Sequence, residues 1–191
     1  MGNTVLKNTN EPQTIFGVEL KELVSYPDSR GFFRELIRKD DPCFAEGFAQ
    51  WSHSKMAQNT LKAWHFHHRQ IDWWYCPSGA LEVVLYDNRE ESPTYQSKME
   101  FLLGDSAINP DALSVIVRIP QGVLHGCKVL SDSADLFYIT SQTYDPEDEG
   151  RLPFDTKEVP HNWGSSGALI ISERDRTTHI PPYEREPLKT A

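Results

Sequence analysis

Two histidines, His65 and His67, stand two residues apart in a run of β-favouring residues. Imidazoles are suited to proton transfer near neutral pH and to metal binding. In an ideal strand neighbouring side chains alternate between faces, so both rings should point the same way. One face would then hold Leu61, Ala63, His65 and His67, and the other Lys62, Trp64 and Phe66. In a barrel the pair would face an interior cavity, and the simpler alternative is a histidine-rich surface strand.

A carboxylate and a third imidazole extend this histidine pair. Asp72 follows His67 by five residues, and His125 ends the segment PQGVLH. The Pro-x-Gly turn of that segment would deliver His125 onto a strand that faces the first pair. Three imidazoles and one carboxylate suit Fe(II), Mn(II), Ni(II) or Zn(II). One interpretation is therefore a metal-dependent enzyme that uses His65, His67, Asp72 and His125.

The elements that must position these residues are short β-favouring runs, separated by turn residues at intervals typical of a sandwich or barrel. Ten strands are predicted, at residues 17–25, 32–38, 48–53, 60–67, 71–76, 80–86, 97–103, 114–119, 122–129 and 136–143. One short helix is predicted at residues 40–47, where Asp41 can cap it, Pro42 fits its first turn and Gly47 can end it. The fold class is therefore all-β with short helical segments, in a closed or two-sheet antiparallel barrel. We expect a flexible N-terminal arm at 1–15, the barrel at 16–163 and a C-terminal extension at 164–191.

Composition excludes several classes of protein. The chain of 191 residues has a formal net charge of -9, which argues against a nucleic-acid partner. Its three cysteines are odd in number and widely spaced, which fits a reducing cytoplasm. No stretch is long and apolar enough to predict a membrane span, and the N-terminus lacks the apolar core of a signal peptide. We therefore expect a cytoplasmic protein.

Two motifs resemble those of the cupin superfamily. In the first, His65-x-His67 is followed after four residues by Asp72 and after six more residues by Gly79. Asp72 stands where the motif has Glu. The second is PQGVLH, residues 120–125, which is similar to PxGxxH. Together they imply the cupin double-stranded β-helix, a jelly-roll barrel, for the whole domain.

A more specific resemblance runs through most of the chain. The segments that carry it are DSRGFFRE (28–35), WHF (64–66), DNREESPT (87–94), IPQGVLHG (119–126), Tyr138 to Glu149, and SERD (172–175). They are similar, in the same order, to DxRGxFxE, LHF, DxRxxSPT, IPxGxAHG, YxxTxxYxPxxE and SxKD. These motifs are typical of the dTDP-4-dehydrorhamnose 3,5-epimerase family.

This resemblance implies a cofactor-free and metal-free homodimer that inverts a carbon next to the ketone of a nucleotide-linked 4-keto-6-deoxy sugar. It implies that His65 is the base, that Asp175 orients it, and that Tyr138 is the acid. The donated N-terminal segment of the family's dimer would bring Arg30 and Glu35 to the neighbour's site. The implied substrate contacts are Arg30, Glu35, Gln50, Lys62, His125, Glu149 and Arg174.

Several departures from the family's pattern gather where the sugar diphosphate is expected. The chain has Lys62-Ala63 for the family's Arg-Gly, and Gln50-Trp51-Ser52 for its QDN. It has Asp72 where the family has a lysine, and a carboxylate beside a diphosphate is repulsive. Three interpretations therefore stay open: the epimerase, the metal-dependent cupin enzyme, and a non-catalytic sugar-nucleotide binding protein.

Overall fold

The computed structural model describes residues 14–106, 109–164 and 168–184. Their regular structure is almost entirely β. The strands are β1 Glu19–Glu22, β2 Ser25–Asp28, β3 Gly31–Arg34, β4 Gln50–Ala57, β5 Thr60–His67, β6 Asp72–Ser78, β7 Ala80–Asp87, β8 Lys98–Gly104, β9 Val115–Ile119, β10 Val123–Val129, β11 Ser133–Thr140, β12 Glu149–Arg151 and β13 Ile170–Ile171. Pro42–Phe44 and Arg174–Arg176 each form a single turn of 3₁₀ helix.

The strands form two facing sheets and one separate hairpin. The first sheet has the order β1-β9-β6-β11-β4, and the second has the order β12-β5-β10-β7-β8. Pairing is antiparallel throughout both sheets, except that β13 joins β5 in parallel. The hairpin of β2 and β3 pairs within itself. This is the predicted all-β jelly roll, in which inward-facing side chains from two sheets can meet.

The core between the sheets follows from the alternation of apolar residues. In β7, Leu81, Val83 and Leu85 are fully buried and pack with Val117 and Leu136 of the first sheet. Val84 and Tyr86 on the other face of β7 are also buried, because they pack in a second cluster on the outer side. Both faces of this strand are therefore covered, which explains why its sequence is a nearly continuous apolar run.

The outer side of the second sheet is covered by the chain that follows β12. Leu152, Val159 and Trp163 pack there against Trp64 and Val84. The indole Nε1 of Trp64 also donates to the carbonyl of Phe154 at 3.2 Å. This covering segment leads on to β13 and the second 3₁₀ turn, and so it holds the C-terminal part of the chain beside β5.

Some predicted elements need correction. The run predicted at 17–25 divides into β1 and the start of β2, and the run predicted at 32–38 is a strand only as far as Arg34. A hairpin forms there because Asp28 pairs with Gly31, whose φ of +131° suits glycine. The predictions also missed β12 and β13, which are three and two residues long.

The helix predicted at 40–47 is a single 3₁₀ turn. Its cap is as predicted, since the Asp41 carboxylate accepts from the Cys43 N–H at 3.1 Å and Pro42 is the first helical residue. The turn ends early because the chain passes to Gly47, whose φ is +72°. Cys43 and Phe44 are buried against the outer face of the first sheet.

The predicted arm at 1–15 lies outside the described residues apart from its last two. Ile15, the last of them, is fully buried in the core between the sheets. The position of Ile15 is therefore fixed by packing, and the flexibility expected of the rest of the arm stays a prediction. Within the part of the chain that the structure describes, no helix is long and apolar enough to cross a membrane.

Candidate active site

A cavity of about 250 Å³ lies between the sheets and collects most of the predicted site residues. From the second sheet, β5 contributes His65 and His67, and β10 contributes His125. From the first sheet, β6 contributes Asp72 and β11 contributes Tyr138. Side chains that are up to 73 residues apart in the sequence thus face one space, as the barrel interpretation requires.

The side-chain directions predicted for β5 are wrong for Leu61, Lys62 and Ala63. His65 pairs with His125 of β10, and Lys62 pairs with Cys127. Between these two pairs β5 therefore contains one residue more than β10. Such a bulge reverses the alternation of side chains. Lys62 therefore lines the cavity together with His65 and His67, while the apolar residues of β5 face the opposite way. Those residues are Leu61, Ala63, Trp64 and Phe66, and the Ala63–Trp64 peptide bond is cis.

His65 is held by a buried carboxylate. Its Nε2 lies 2.6 Å from Oδ1 of Asp175, which is 4% exposed on the second 3₁₀ turn. The Ser172 hydroxyl donates to the other Asp175 oxygen at 2.8 Å. Burial alone would raise the pKa of Asp175, but the bonds from His65 and Ser172 hold that pKa below its ordinary value. An ionised acceptor at Nε2 assigns the ring proton to Nε2, so the lone pair is on Nδ1.

A second carboxylate lies on the other side of the same ring. Oε1 of Glu149 is 3.6 Å from Nδ1 of His65. Arg151 and Arg174 bind the two oxygens of Glu149, each at 3.1 Å. Burial would raise the pKa of Glu149, but the charges of His65 and of these arginines lower it. Two carboxylates therefore flank the imidazole, one beside each ring nitrogen.

Tyr138 reaches the cavity from the opposite sheet. Burial raises the pKa of its phenol well above the ordinary value, so the group stays protonated near neutral pH. The phenol oxygen accepts from Nζ of Lys62 at 3.2 Å, and Lys62 also donates to Oγ of Ser54 at 3.0 Å. Because the oxygen is approached by this ammonium, the phenol O–H can point elsewhere in the cavity. The residue predicted as a substrate contact, Lys62, is thus already bonded to the predicted acid.

The remaining cavity histidines form a separate group with Asp72. Nδ1 of His125 donates to the carbonyl of Val123 at 3.0 Å, which leaves Nε2 as an acceptor. Burial lowers the pKa of His125 to about 4, so the ring is neutral. Candidate ligand atoms of His67, Asp72 and His125 lie within 4.8 Å of one another. The four-ligand metal interpretation is wrong in one respect, since His65 is held by Asp175 and is not in this group.

The other predicted substrate contacts are distributed unevenly. Gln50 lines the cavity, and its Oε1 accepts from the Tyr144 N–H at 2.9 Å. Arg174 is bonded to Glu149, as described above. Arg30 and Glu35 do not line the cavity within the described chain: the Arg30 side chain is 87% exposed and bonded to Asp28, and the Glu35 side chain is 51% exposed.

Sequence reasoning missed several residues that support the site. Ser54 and Gln70 carry no local signal, because their importance comes from side chains that packing brings beside them. Ser172 stood in the quoted SERD motif, and its hydroxyl turns out to bind Asp175. Tyr144 stood in the Tyr138 to Glu149 motif and also lines the cavity.

Together, the fold and the site define a class of protein. It is a cupin-type jelly roll whose interior cavity carries a His–Asp pair on one wall and a protonated tyrosine on the other. The comparison with known families is specific: the model of the dTDP-4-dehydrorhamnose 3,5-epimerase family matches residues 12–180. The chain belongs to that family, as the motifs predicted.

Similar proteins agree with this assignment. The spore coat polysaccharide biosynthesis protein SpsL of Bacillus subtilis is 40% identical over 154 residues, covering 79% of this chain and 97% of that protein. The dTDP-4-dehydrorhamnose 3,5-epimerase of Escherichia coli is 31% identical over 157 residues, covering 78% and 82%. The crystal structure of NovW, a 4-keto-6-deoxy sugar epimerase of Streptomyces spheroides, has a TM-score of 0.75 at 27% identity, covering 93% and 90%. These similarities confirm the predicted family and the predicted cupin fold.

Proposed function

We propose that this protein is an epimerase that inverts a carbon next to the ketone of a nucleotide-linked 4-keto-6-deoxy sugar. One observation carries the proposal: a carboxylate-bound histidine, His65, and a protonated tyrosine, Tyr138, face one cavity from opposite sheets. Inversion requires removal of a proton from one face of the carbon and its return to the other. The names of NovW and of the Escherichia coli relative support the substrate class.

In this proposal His65 is the base. Its Nδ1 lone pair takes the C–H proton, and the electron pair of that bond moves toward the ketone oxygen as an enolate forms. Asp175 keeps the Nε2 proton in place and stabilises the imidazolium, as the acid of a catalytic triad does. Glu149 stabilises the same cation from the Nδ1 side. Its position beside the His65 ring favours this role over the substrate contact that the resemblance implied.

Tyr138 is the proposed acid. Its O–H bond breaks as a new C–H bond forms on the opposite face of the sugar carbon. The negative charge is then left on the phenol oxygen, 3.2 Å from the ammonium of Lys62. A cation at that distance favours the phenolate and so assists the proton transfer. Lys62 would then act on the acid more than on the diphosphate.

The nucleotide end of the site is proposed to be completed by a second copy of the chain. The β2–β3 hairpin carries exposed aromatic side chains, with Tyr26, Phe32 and Phe33 each more than half exposed. Apolar groups gathered on a separate hairpin are typical of an interaction surface. Docked on a partner, the hairpin would bring Arg30 and Glu35 to the neighbouring cavity. The three buried, free cysteines support the expected cytoplasmic location.

Incubation with nucleoside-diphosphate 4-keto-6-deoxyglucose substrates in deuterated water, followed by NMR, tests the proposal. We expect deuterium next to the ketone, with inversion at C3, C5 or both. His65→Asn should slow exchange by roughly 10²–10⁴ while nucleotide affinity is kept. Tight binding of substrate by the wild type without any labelling would instead identify a non-catalytic sugar-nucleotide binding protein.

A further inference from the structure

Two carboxylates and one imidazole meet on the outer face of the second sheet, outside the active-site cavity. Val83 of β7 points into the core between the sheets, so the neighbouring Glu82 points outward. Glu100 of β8 pairs with Val84, which packs in the outer cluster, so its side chain lies on the same face. His161 of the covering segment lies beside both carboxylates. Its Nε2 is 3.5 Å from Oε1 of Glu82, and its Nδ1 is 3.6 Å from Oε2 of Glu100.

The imidazole of His161 is buried, and its Nε2 makes no hydrogen bond. The side chain is 4% exposed, because the ring packs edge-on against Trp64 and Trp163, with centroids 6.1 and 4.3 Å apart. Among the described residues no group completes a hydrogen bond to Nε2, although this nitrogen is directed at Glu82. A buried polar atom without a partner is unfavourable. A ligand that binds Nε2 and a carboxylate oxygen together would remove this cost.

The surroundings of the ring keep its lone pair available. Burial lowers the pKa of His161 below its ordinary value; Glu100 opposes this shift, and Lys98 and Lys128 add to it. The imidazole is therefore neutral near pH 7, which is the form that a metal ion binds. Burial also raises the pKa of Glu82. A cation beside the Glu82 oxygens would stabilise the carboxylate that burial disfavours.

We propose that Glu82, Glu100 and His161 bind a zinc ion that holds the covering segment on the second sheet. Imidazole nitrogens and carboxylate oxygens both bind Zn(II) at about 2.0–2.2 Å, and water can complete a tetrahedral site. Ligand atoms of such an ion lie about 3.4 Å apart, close to the 3.5 Å between His161 and Glu82. One ligand atom from each of the three residues lies within 4.8 Å of the others. Glu100 can close the remaining distance by turning, because its side chain is 47% exposed.

Two lysines border the site, and only one of them must move. Nζ of Lys98 is 3.1 Å from Oε2 of Glu100, and the Lys98 side chain is 32% exposed. It can therefore turn to solvent when an ion takes that oxygen, and a partly exposed pair of this kind contributes little to stability. Nζ of Lys128 instead donates to the carbonyl of Trp163 at 2.6 Å and can stay there.

The ion would cross-link three separate parts of the chain. The two carboxylates belong to the paired strands β7 and β8, and His161 belongs to the covering segment. That segment continues to β13 and to the 3₁₀ turn that contains Asp175. Binding of a metal ion to ligands that folding brings together stabilises the fold. None of the three ligands lines the cavity, so the binding of zinc is independent of the proposed function.

Isothermal titration calorimetry of the chelator-treated full chain with zinc chloride tests the proposal. We expect one ion per chain that depends on Glu82 and His161. Glu82→Gln and His161→Gln should each weaken its binding by more than the roughly 10–100-fold that loss of an outer-shell partner typically costs. Asp72→Asn changes the cavity and should leave this ion bound. Glu158→Gln is the matched control, because it makes the same substitution at an exposed residue of the covering segment.

Thermal unfolding gives a second measurement. Zinc should raise the melting temperature of the wild type, of Asp72→Asn and of Glu158→Gln, and should raise that of Glu82→Gln much less. His161→Gln also removes a ring that packs against two tryptophans, so Glu82→Gln and Glu100→Gln decide the result if that variant does not fold. The proposal is overturned if the wild type binds no zinc, if both glutamate variants bind it as the wild type does, or if Asp72→Asn alone loses the ion. Equal loss of uptake in Glu158→Gln would overturn it as well.

Discussion

Asp175→Asn tests the central pair of the proposed mechanism, because it keeps the size of the side chain and removes its charge. In the wild type, Nε2 of His65 donates to Asp175 at 2.6 Å. Asn can instead donate its amide to Nε2, which moves the ring proton to Nδ1 and occupies the lone pair of the base. We expect kcat to fall by roughly 10³–10⁴, with KM changed by less than about threefold.

The magnitude follows from the charge that is lost. Two unit charges about 4 Å apart attract by about 4 kcal/mol at an effective dielectric constant of about 20. About 1.4 kcal/mol of transition-state stabilisation corresponds to a factor of ten in rate. Loss of this attraction alone should therefore slow the reaction by about 10³-fold. Glu149, 3.6 Å from the other nitrogen, keeps part of the stabilisation of the cation. The change of tautomer accounts for the rest of the expected fall in kcat.

The assay is deuterium incorporation next to the ketone, measured by NMR at saturating substrate. Ser172→Ala removes the hydroxyl that donates to Asp175 at 2.8 Å, and should cost less than about tenfold because the charge and the His65 bond remain. Asp135→Asn is the matched control, since this carboxylate is bonded to the surface residue His53. Its kcat should stay within about twofold of the wild type, as is usual for an exposed pair.

The reasoning is refuted if Asp175→Asn exchanges deuterium within about tenfold of the wild type while its melting temperature is unchanged. His65 would then not depend on this carboxylate for its basicity. A large fall in kcat that is shared by Asp135→Asn would also refute it, because the effect would not be specific to the cavity.

Three further predictions concern the acid, the nucleotide end and the stability of the fold. Lys62→Met should lower kcat by about 10–100-fold at unchanged KM, because the Tyr138 phenolate loses its neighbouring cation. Lys62→Arg should keep most of the wild-type kcat. A rise in KM alone would instead support the substrate contact implied by the resemblance. Arg30→Ala should weaken binding of a nucleoside diphosphate by roughly 10–100-fold in calorimetry. Unchanged affinity would mean that Arg30 is only an exposed charge on a turn and does not contact the nucleotide. The pKa of Asp175 lies below its ordinary value, so its stabilisation is complete above about pH 4 and is lost as the pH falls through the folded pKa. The difference between wild type and Asp175→Asn in urea unfolding should therefore stay constant from about pH 7 to about pH 4 and shrink as the pH falls further.

Local patterns in the sequence were sufficient for much of the fold. β5 has the predicted bounds, Thr60–His67, because its β-favouring residues run without interruption up to the loop that follows. The cap of the first 3₁₀ turn was also predictable, since Asp41 and Pro42 act on backbone groups within three residues. Such contacts are decided by neighbouring residues, and they do not depend on the rest of the chain.

The side-chain directions in β5 could not be predicted in the same way. Strict alternation places Lys62 and His65 on opposite faces, and only pairing with β10 shows the extra residue that brings them together. Likewise, His65 and Asp175 are 110 residues apart, and no local pattern connects them. Their association was available from the order of family motifs, and its geometry required the fold.

β5 explains why so many parts of the site depend on one another. It carries Lys62 and His65, and its backbone pairs with β10 at His125, with β12 at Glu149 and with β13 shortly before Asp175. The base, Glu149 and His125 are thus placed by the backbone pairing of a single strand, and β13 brings the chain back to β5 shortly before Asp175. The extra residue of β5 between Lys62 and His65 allows both side chains to face the cavity, because their partners on β10 are only two positions apart. The pairing of this one strand with β10 therefore places both the base and the cation beside the acid.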